Sequence, residues 1–464
     1  MEMIYVPEMD HGEAGRGKAF ISAEAWIPLE NFTNPESFLR MATLQSVSNR
    51  PGGGTQLCLA RRERYHMVIA RHLHTDWSPM AKTYTVVDLS STWDRVDFGE
   101  RIAIRAGDQE DAWEALSQED HGVLNLACGK GKTILALKKI SQRGFPAIVI
   151  VNNEGLIDQW LDRAREFLNL REDQLGVVQG TKAQWDRPFV VAMIHTLAAR
   201  ADAIPLNIRM RFGTVVFDEV HHLSAATFVR VAPLFFGDRV GLTATLERED
   251  GLESAYYAHV GDPFYSDLQG ELTASIYFKK LPFALPSNAP EMTDRTGEFS
   301  VGKLYTYLGG LAERNRAILD FIVPALEVGR KILVLTHSAE HPDVLKEMVD
   351  RLYPGRWVSG SVSGKTRGPM RTQIIRDSNV TFATTQVARE ALDVSALDTL
   401  LFITPFRAWG VMQQGKGRIE RRHSGKLDPI VVVMDDGGIG PAHAMCRSLR
   451  RLVKSHGYSY ADIG

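Results

Sequence analysis

The sequence predicts an α/β protein with two parallel-sheet domains in tandem, preceded by a small N-terminal α+β domain. Three observations lead there. From about residue 120, short β-branched apolar runs alternate with longer amphipathic stretches, the pattern of right-handed βαβ units around a parallel sheet. Around 281–310 a stretch rich in Pro, Gly, Ser and Thr breaks the alternation and reads as a hinge. Alternation then resumes to the end, and 464 residues correspond to about three domains at roughly 100–200 residues each. The expected divisions are 1–95, 96–285 and 286–464.

Residues 1–95 contain scattered β-like segments such as "TYTVVDLS" and a Gly-rich turn at "RPGGGT". Within them "LARRERYHMVIARHLH" sets Arg61, Arg62, Arg64 and Arg71 beside Tyr65. That mixture suits phosphate contact and base stacking, and suits a solvated strand or helix face equally well. In the first α/β stretch "GVLNLAC" leads into "GKTILALKKI", "AIVIV" into "EGLIDQWLDRAREFL", and "FVVAMI" into a further helix, before "TVVFDEV" and "RVGLTAT". The second stretch is built on "KILVLTHS", "VTFATTQ", "DTLLFITP" and "PIVVVMD".

Composition narrows the class. Hydrophobic residues make up 44% and charged residues 24%, an ordinary globular balance. A formal net charge of −2 gives no overall basic signature, so a nucleic-acid surface has to be local. Cys58, Cys128 and Cys446 lie too far apart for a disulfide framework or a zinc site. The first twenty residues have no apolar signal core, and no apolar run reaches the roughly 20 residues of a membrane helix. A soluble intracellular protein, with no membrane partner, is expected.

"ACGKGKT", Ala127 to Thr133, lies between a predicted strand and a predicted helix. There Gly129 and Gly131 let backbone N–H groups face a phosphate, and the helix N-terminus adds its dipole. Lys132 is positioned to reach the β- and γ-phosphates of ATP, and Thr133 to ligate Mg2+. The full pattern has Gly where this chain has Leu126. "TVVFDEVHHLSAATF" ends a buried strand on Asp218 and Glu219. Open α/β sheets bind ligands at that carboxyl edge. Asp218 is expected to hold the metal and Glu219 to activate water.

Over about residues 100–464 these motifs resemble the superfamily 2 helicases and translocases, with "DEVH" as the second motif. The resemblance implies two RecA-like domains and makes "GLTAT", with Thr243 and Thr245, the motif coupling nucleotide to nucleic acid. Gln414, Gly417, Arg418 and Arg421 match the Q-x-x-G-R-x-x-R spacing of the sixth motif, which makes Arg418 and Arg421 fingers on the γ-phosphate and Gln414 a nucleotide contact. Without the other motifs this segment reads as a basic surface patch.

Within the superfamily, "ACGKGKT", "DEVHHLSA" and "GLTATLERED" are most similar to the XPB and UvsW group. That likeness implies a role near the duplex fork for Arg248, Glu249 and Asp250, and a bridging role toward Gln414 for His221, with His222 structural. It makes "IVIVNNEGLIDQW" a backbone-gripping motif, although Asn152 and Asn153 replace the usual Pro-Thr. "AMIHTLA" (His195, Thr196) and "TTQVAREALDVSALD" (Thr384, Thr385, Asp393) become strand-tracking motifs. Gln109 in "RAGDQEDAWEAL" is the implied adenine reader, with Asp108 in place of the aromatic. The activity implied is an ATP-dependent DNA helicase or translocase on forked or branched duplex, serving repair, recombination or replication. The alternatives are an RNA helicase, or an ATP-switched DNA-binding subunit of a nuclease complex.

Overall fold

Seven short strands come first: β1 (Lys18–Ile21), β2 (Glu24–Pro28), β3 (Thr43–Gln45), β4 (Gln56–Cys58), β5 (Ala60–Arg62), β6 (His66–Ala70) and β7 (Thr85–Asp88). β3 and β4 pair with each other, and the rest form a sheet ordered β5-β6-β2-β1-β7. The computed structural model describes residues 18–46, 56–63, 66–73, 85–88, 93–224, 228–246, 251–269, 272–281, 290–295, 297–364, 366, 368–386, 394–407, 409–437 and 440–464. The chain divides into two units, Met1–Leu268 and Gln269–Gly464.

The first unit also holds β8 (Gly122–Leu126), β9 (Ala147–Val151), β10 (Leu175–Gln179), β11 (Lys182–Ala183), β12 (Phe189–Met193), β13 (Thr214–Asp218), β14 (Asp238–Thr243) and β15 (Pro263–Asp267). They make one sheet ordered β11-β10-β12-β9-β13-β14-β8-β15, parallel except where β11 turns back on β10. Every residue of β8, β9 and β12 is buried. Helices cover both faces of a parallel sheet, which is why these strands read as unbroken apolar runs. The helix Lys132–Arg143 follows β8 and ends at Gly144 (φ 63°), whose N–H donates to the Ile140 carbonyl. Asn153 caps the helix Glu154–Leu168, its side chain accepting from Leu156 N at 3.1 Å.

The second unit holds β16 (Ser275–Lys280), β17 (Ile332–Thr336), β18 (Ser359–Val362), β19 (Val380–Thr384), β20 (Thr399–Phe402), β21 (Ile430–Asp435) and β22 (Tyr460–Ile463). Their order is β18-β19-β17-β20-β21-β16-β22, with every pairing parallel. Leu333 and Leu335 enter one core while Ile332 and Val334 enter the other, so alternate side chains fill both faces. Both sheets match the RecA-like expectation of parallel α/β layers. β16, which the sequence groups with residues 96–285, pairs into this second sheet. Among the described residues no helix is long and apolar enough to cross a membrane.

The N-terminal sheet shares a core with the first parallel-sheet layer. Ile27, Met67 and Ile69 pack with Leu252, Ala255 and Ala258 of the helix Glu253–Val260. The division at residue 95 therefore cuts through one apolar cluster. A polar weld runs beside it. The Arg239 guanidinium, fully buried, donates to the carbonyls of Ala23 (2.6 Å), His259 (2.7 Å) and Phe235 (3.1 Å). Burial, with Arg71 nearby, pulls its pKa down to about 9. Arg71 Nη1 donates to the Phe236 carbonyl at 3.0 Å, and Asp238 pairs with Arg143 and, at 3.2 Å, with His121.

Arg239→Met keeps the volume but strands the carbonyls of Ala23, His259 and Phe235. The full chain should lose roughly 3 kcal/mol or more of stability, at about 1–3 kcal/mol per unpaired buried group. Urea unfolding of the variant reads this directly, and an unchanged midpoint contradicts the weld.

Candidate functional site: the carboxyl edge of the first sheet

The loop after β8 carries Gly129 (φ 91°) and Gly131 (φ 87°) in left-handed backbone. At Gly131 the need for glycine is also steric, since a Cβ there would lie 2.2 Å from Gln109 Nε2. Gln109 is buried, donating to the Lys130 carbonyl at 3.0 Å and accepting from Arg105 N at 3.0 Å. The loop is held from the other side by β15, where Ala127 N donates to the Asp267 carbonyl at 2.8 Å. Lys130 is buried between the Asp267 and Asp108 carboxylates. Burial opposes its charge, but those two carboxylates outweigh it and hold the ammonium above its ordinary pKa. Lys132 Nζ donates to the Leu126 carbonyl at 2.7 Å. Thr133 stands in the first turn of the helix behind it.

β14 separates β8 from β13 in the sheet, so the end of β13 faces the same edge. Asp218 ends that strand. Burial first, then the Glu219 charge, push its carboxyl up to about 6, while a hydrogen bond from Trp160 and the field of Lys132 oppose the rise. Trp160 Nε1 donates to Asp218 Oδ2 at 2.8 Å, and the indole is wholly buried. Glu219 is left-handed (φ 50°), a conformation costing a non-glycine residue on the order of 1–3 kcal/mol that persists where surroundings impose it. Its Oε2 is buried, accepts no hydrogen bond among the described residues, and lies 3.5 Å from His221 Nδ1.

From His221 a chain of contacts runs into the end of β14. His221 Nδ1 lies 3.1 Å from Thr243 Oγ1, which donates to the Thr245 carbonyl at 2.8 Å and accepts from Thr245 N at 3.0 Å. The His222 ring is 4.3 Å from that of His221. Gln109, Gly129, Gly131, Lys132, Thr133, Asp218, Glu219, His221, Thr243 and Thr245 thus gather at one sheet edge in the first unit.

The remaining predicted residues lie elsewhere. In the second unit Gln414 and Arg418 are buried on the helix Trp409–Ile419, and Arg421 follows it. The Lys416–Glu420 pair (2.6 Å) is buried beside them, and Glu420 Oε1 accepts from Ala274 N at 2.8 Å. Thr384 ends β19, its hydroxyl buried without a partner among the described residues. Thr196 Oγ1 accepts from Gly180 N at 3.0 Å. Arg61 is committed to Glu24 through two bonds of 2.6 and 2.8 Å and to Glu63 at 3.3 Å. Arg62 pairs with Glu36 at 3.3 Å on the surface. Arg64, Tyr65, Arg248, Glu249, Asp250 and Asp393 lie outside the described residues.

Residues 100–248 match the family model of the type III restriction enzyme res subunit. The probable helicase D10 of Escherichia phage T5 is 26% identical over 352 residues, covering 75% of this chain and 74% of that protein. The chain is thus similar to a helicase over most of its length. The DNA 3'-5' translocase XPB2 of Sulfurisphaera tokodaii is 31% identical over 191 residues, 40% of this chain and 42% of that one. In fold, the Mycobacterium smegmatis helicase Lhr, solved with ssDNA and AMP-PNP, aligns with a TM-score of 0.53 at 15% identity, over 76% of this chain and 48% of that chain.

Sequence reasoning missed Trp160, Lys130 and Asp267. Trp160 stood inside a quoted helix as an apolar position, and nothing in the spacing marks its N–H as a donor to Asp218. Trp160→Phe keeps the ring and removes that donor. Losing a hydrogen bond that favours the carboxylate should raise the Asp218 pKa. The acid limb of kcat/KM for ATP, which reports the free enzyme, should therefore move upward from near pH 6. An unmoved limb separates Trp160 from the Asp218 carboxylate.

Proposed function

We propose that this chain is an ATP-driven DNA helicase or translocase acting on forked or branched duplex. One observation supports the reading most: the glycine loop, the Asp218–Glu219 pair and the His221–Thr243–Thr245 chain share one sheet edge. The donor set fits ATP with Mg2+. Two left-handed glycines shape the loop, a lysine and a threonine open the helix behind them, and a carboxylate stands two strands away. Bound Mg2+ supplies charge neutralisation at the phosphates.

In this reading Lys132 leaves the Leu126 carbonyl to pair with phosphate oxygens, and Thr133 and Asp218 hold the metal. Asp218, costly to ionise where it sits, becomes a stable anion once a cation faces it. Glu219 keeps its free oxygen for the attacking water. His221 relays the state of Glu219 to Thr243 and Thr245. Gln109, already bonded to the loop, reads the adenine edge. Arg418 and Arg421 act as fingers, and Gln414 contacts the nucleotide. Thr196 and Thr384 track one strand, and Arg248 works where strands part. The N-terminal grip has less support, because Glu24 and Glu63 already neutralise Arg61. The exposed Arg62 is the better phosphate contact there, with Arg64 beside it in sequence.

Glu219→Gln should bind ATP normally and lose turnover by roughly 10²–10⁴, the usual range for a lost general base. Lys132→Ala should lose binding as well. Arg418→Ala or Arg421→Ala should cost up to about 10³–10⁵ in turnover. ATPase assays on forked duplex, single-stranded DNA and RNA decide the substrate. Forked DNA should stimulate most. Greater stimulation by RNA favours the RNA helicase, and near-normal turnover of Glu219→Gln favours an ATP-switched binding subunit.

A further inference from the structure

The carboxyl edge of the second sheet carries a column of rings that none of the roles above uses. It starts in the core, at Phe402 on β20, whose ring centroid is 4.5 Å from that of Phe406. Phe406 lies 6.1 Å from the imidazole of His337, the first residue beyond β17. His337 stacks on Tyr305 of the helix Val301–Gly310, with centroids 4.6 Å apart and planes 19° from parallel. The inner members are buried and the outer two are partly exposed. The imidazole is also fixed in the plane it needs. Thr404 Oγ1 accepts from His337 N at 3.1 Å and lies 2.8 Å from His337 Nδ1.

Such a column presents a preset aromatic face at the edge where open α/β sheets bind ligands. A cation acts on its outer ring. Arg407, next to the buried Phe406, is exposed and acts on the Tyr305 phenol, opposing the upward push of burial. Neighbouring β19 ends at the same edge on Thr384, in register with Thr336 at the end of β17. A partly exposed stacked ring beside a cation is the arrangement that holds single-stranded nucleic acid, one base on the ring and its phosphate on the cation.

We propose that the Tyr305–His337 stack is a platform for one base of single-stranded DNA, with Arg407 taking the adjacent phosphate. The proposal deepens the translocase reading and rests on it. A base stacked on a fixed ring in the second unit gives a moving strand a foothold that does not depend on sequence, because every base has a π-face.

The test is fluorescence anisotropy of the full chain with a labelled oligothymidylate and with an abasic strand of equal length. Tyr305→Leu should weaken oligothymidylate binding roughly fivefold to a hundredfold, the range for one base–aromatic stack. It should leave the weaker binding of the abasic strand unchanged. Tyr305→Phe should bind oligothymidylate like the wild type, since the ring is kept. Arg407→Gln should weaken both strands and flatten the salt dependence. Two results overturn the platform alone: Tyr305→Leu binding oligothymidylate normally, or losing equal affinity on both strands. A wild-type chain that binds no single strand overturns the translocase reading along with it.

Discussion

Asp218 sits at the mouth of a strand whose preceding residues Thr214, Val215, Val216 and Phe217 are all buried, and that position governs the site around it. A carboxyl in such a place resists ionisation, and burial with the neighbouring Glu219 charge pushes it up to about 6. The protein offsets part of the cost with a buried indole donor, and the field of Lys132 adds to it. Trp160 comes from the helix after β9, and β9 lies beside β13 in the sheet. The carboxylate is thus aimed by the strand order itself. A full salt bridge would have consumed its charge, whereas a neutral donor orients the group and leaves its charge available to a cation.

The same economy appears at the glycine loop. Lys130, the lysine that does not face the helix start, is used up between Asp108 and Asp267. Lys132 donates to the Leu126 carbonyl, a neutral partner whose loss leaves no carboxylate uncompensated. One lysine is committed to two carboxylates and its near neighbour to a neutral carbonyl. Because Asp267 is the penultimate residue of the first unit, Lys130 also ties the loop to the point where the chain departs for the second unit. Glu219 completes the arrangement from the far side: its left-handed backbone swings the carboxylate away from the sheet axis and toward His221.

The N-terminal strands are held by a different kind of force. Arg239 and Arg71 donate to backbone carbonyl oxygens from buried positions, and the apolar cluster around Leu252 and Ala255 completes the joint. Both arginines are more than nine-tenths buried. Their role is to join two layers whose edges expose backbone, which makes the N-terminal sheet a part of the first unit.

Much of this was legible without coordinates. Parallel strands buried on both faces leave unbroken apolar runs, so β8, β9, β13 and β17 announced themselves, and their alternation with amphipathic stretches implied the two sheets. The strand-end positions of the glycines, Lys132, Thr133, Asp218 and Glu219 were legible because each group directly follows an apolar run. Other features were decided only by tertiary structure. β16 joins the second sheet because its partner β21 lies about 150 residues away, a pairing no local pattern encodes. Arg61, legible as a phosphate contact, meets Glu24 from an adjacent part of its sheet. Trp160, Lys130, Arg239 and the Tyr305–His337 column owe their roles to partners distant in sequence. Local composition reports whether a residue is apolar, charged or turn-forming; which donor meets which acceptor is set by the order in which the strands assemble.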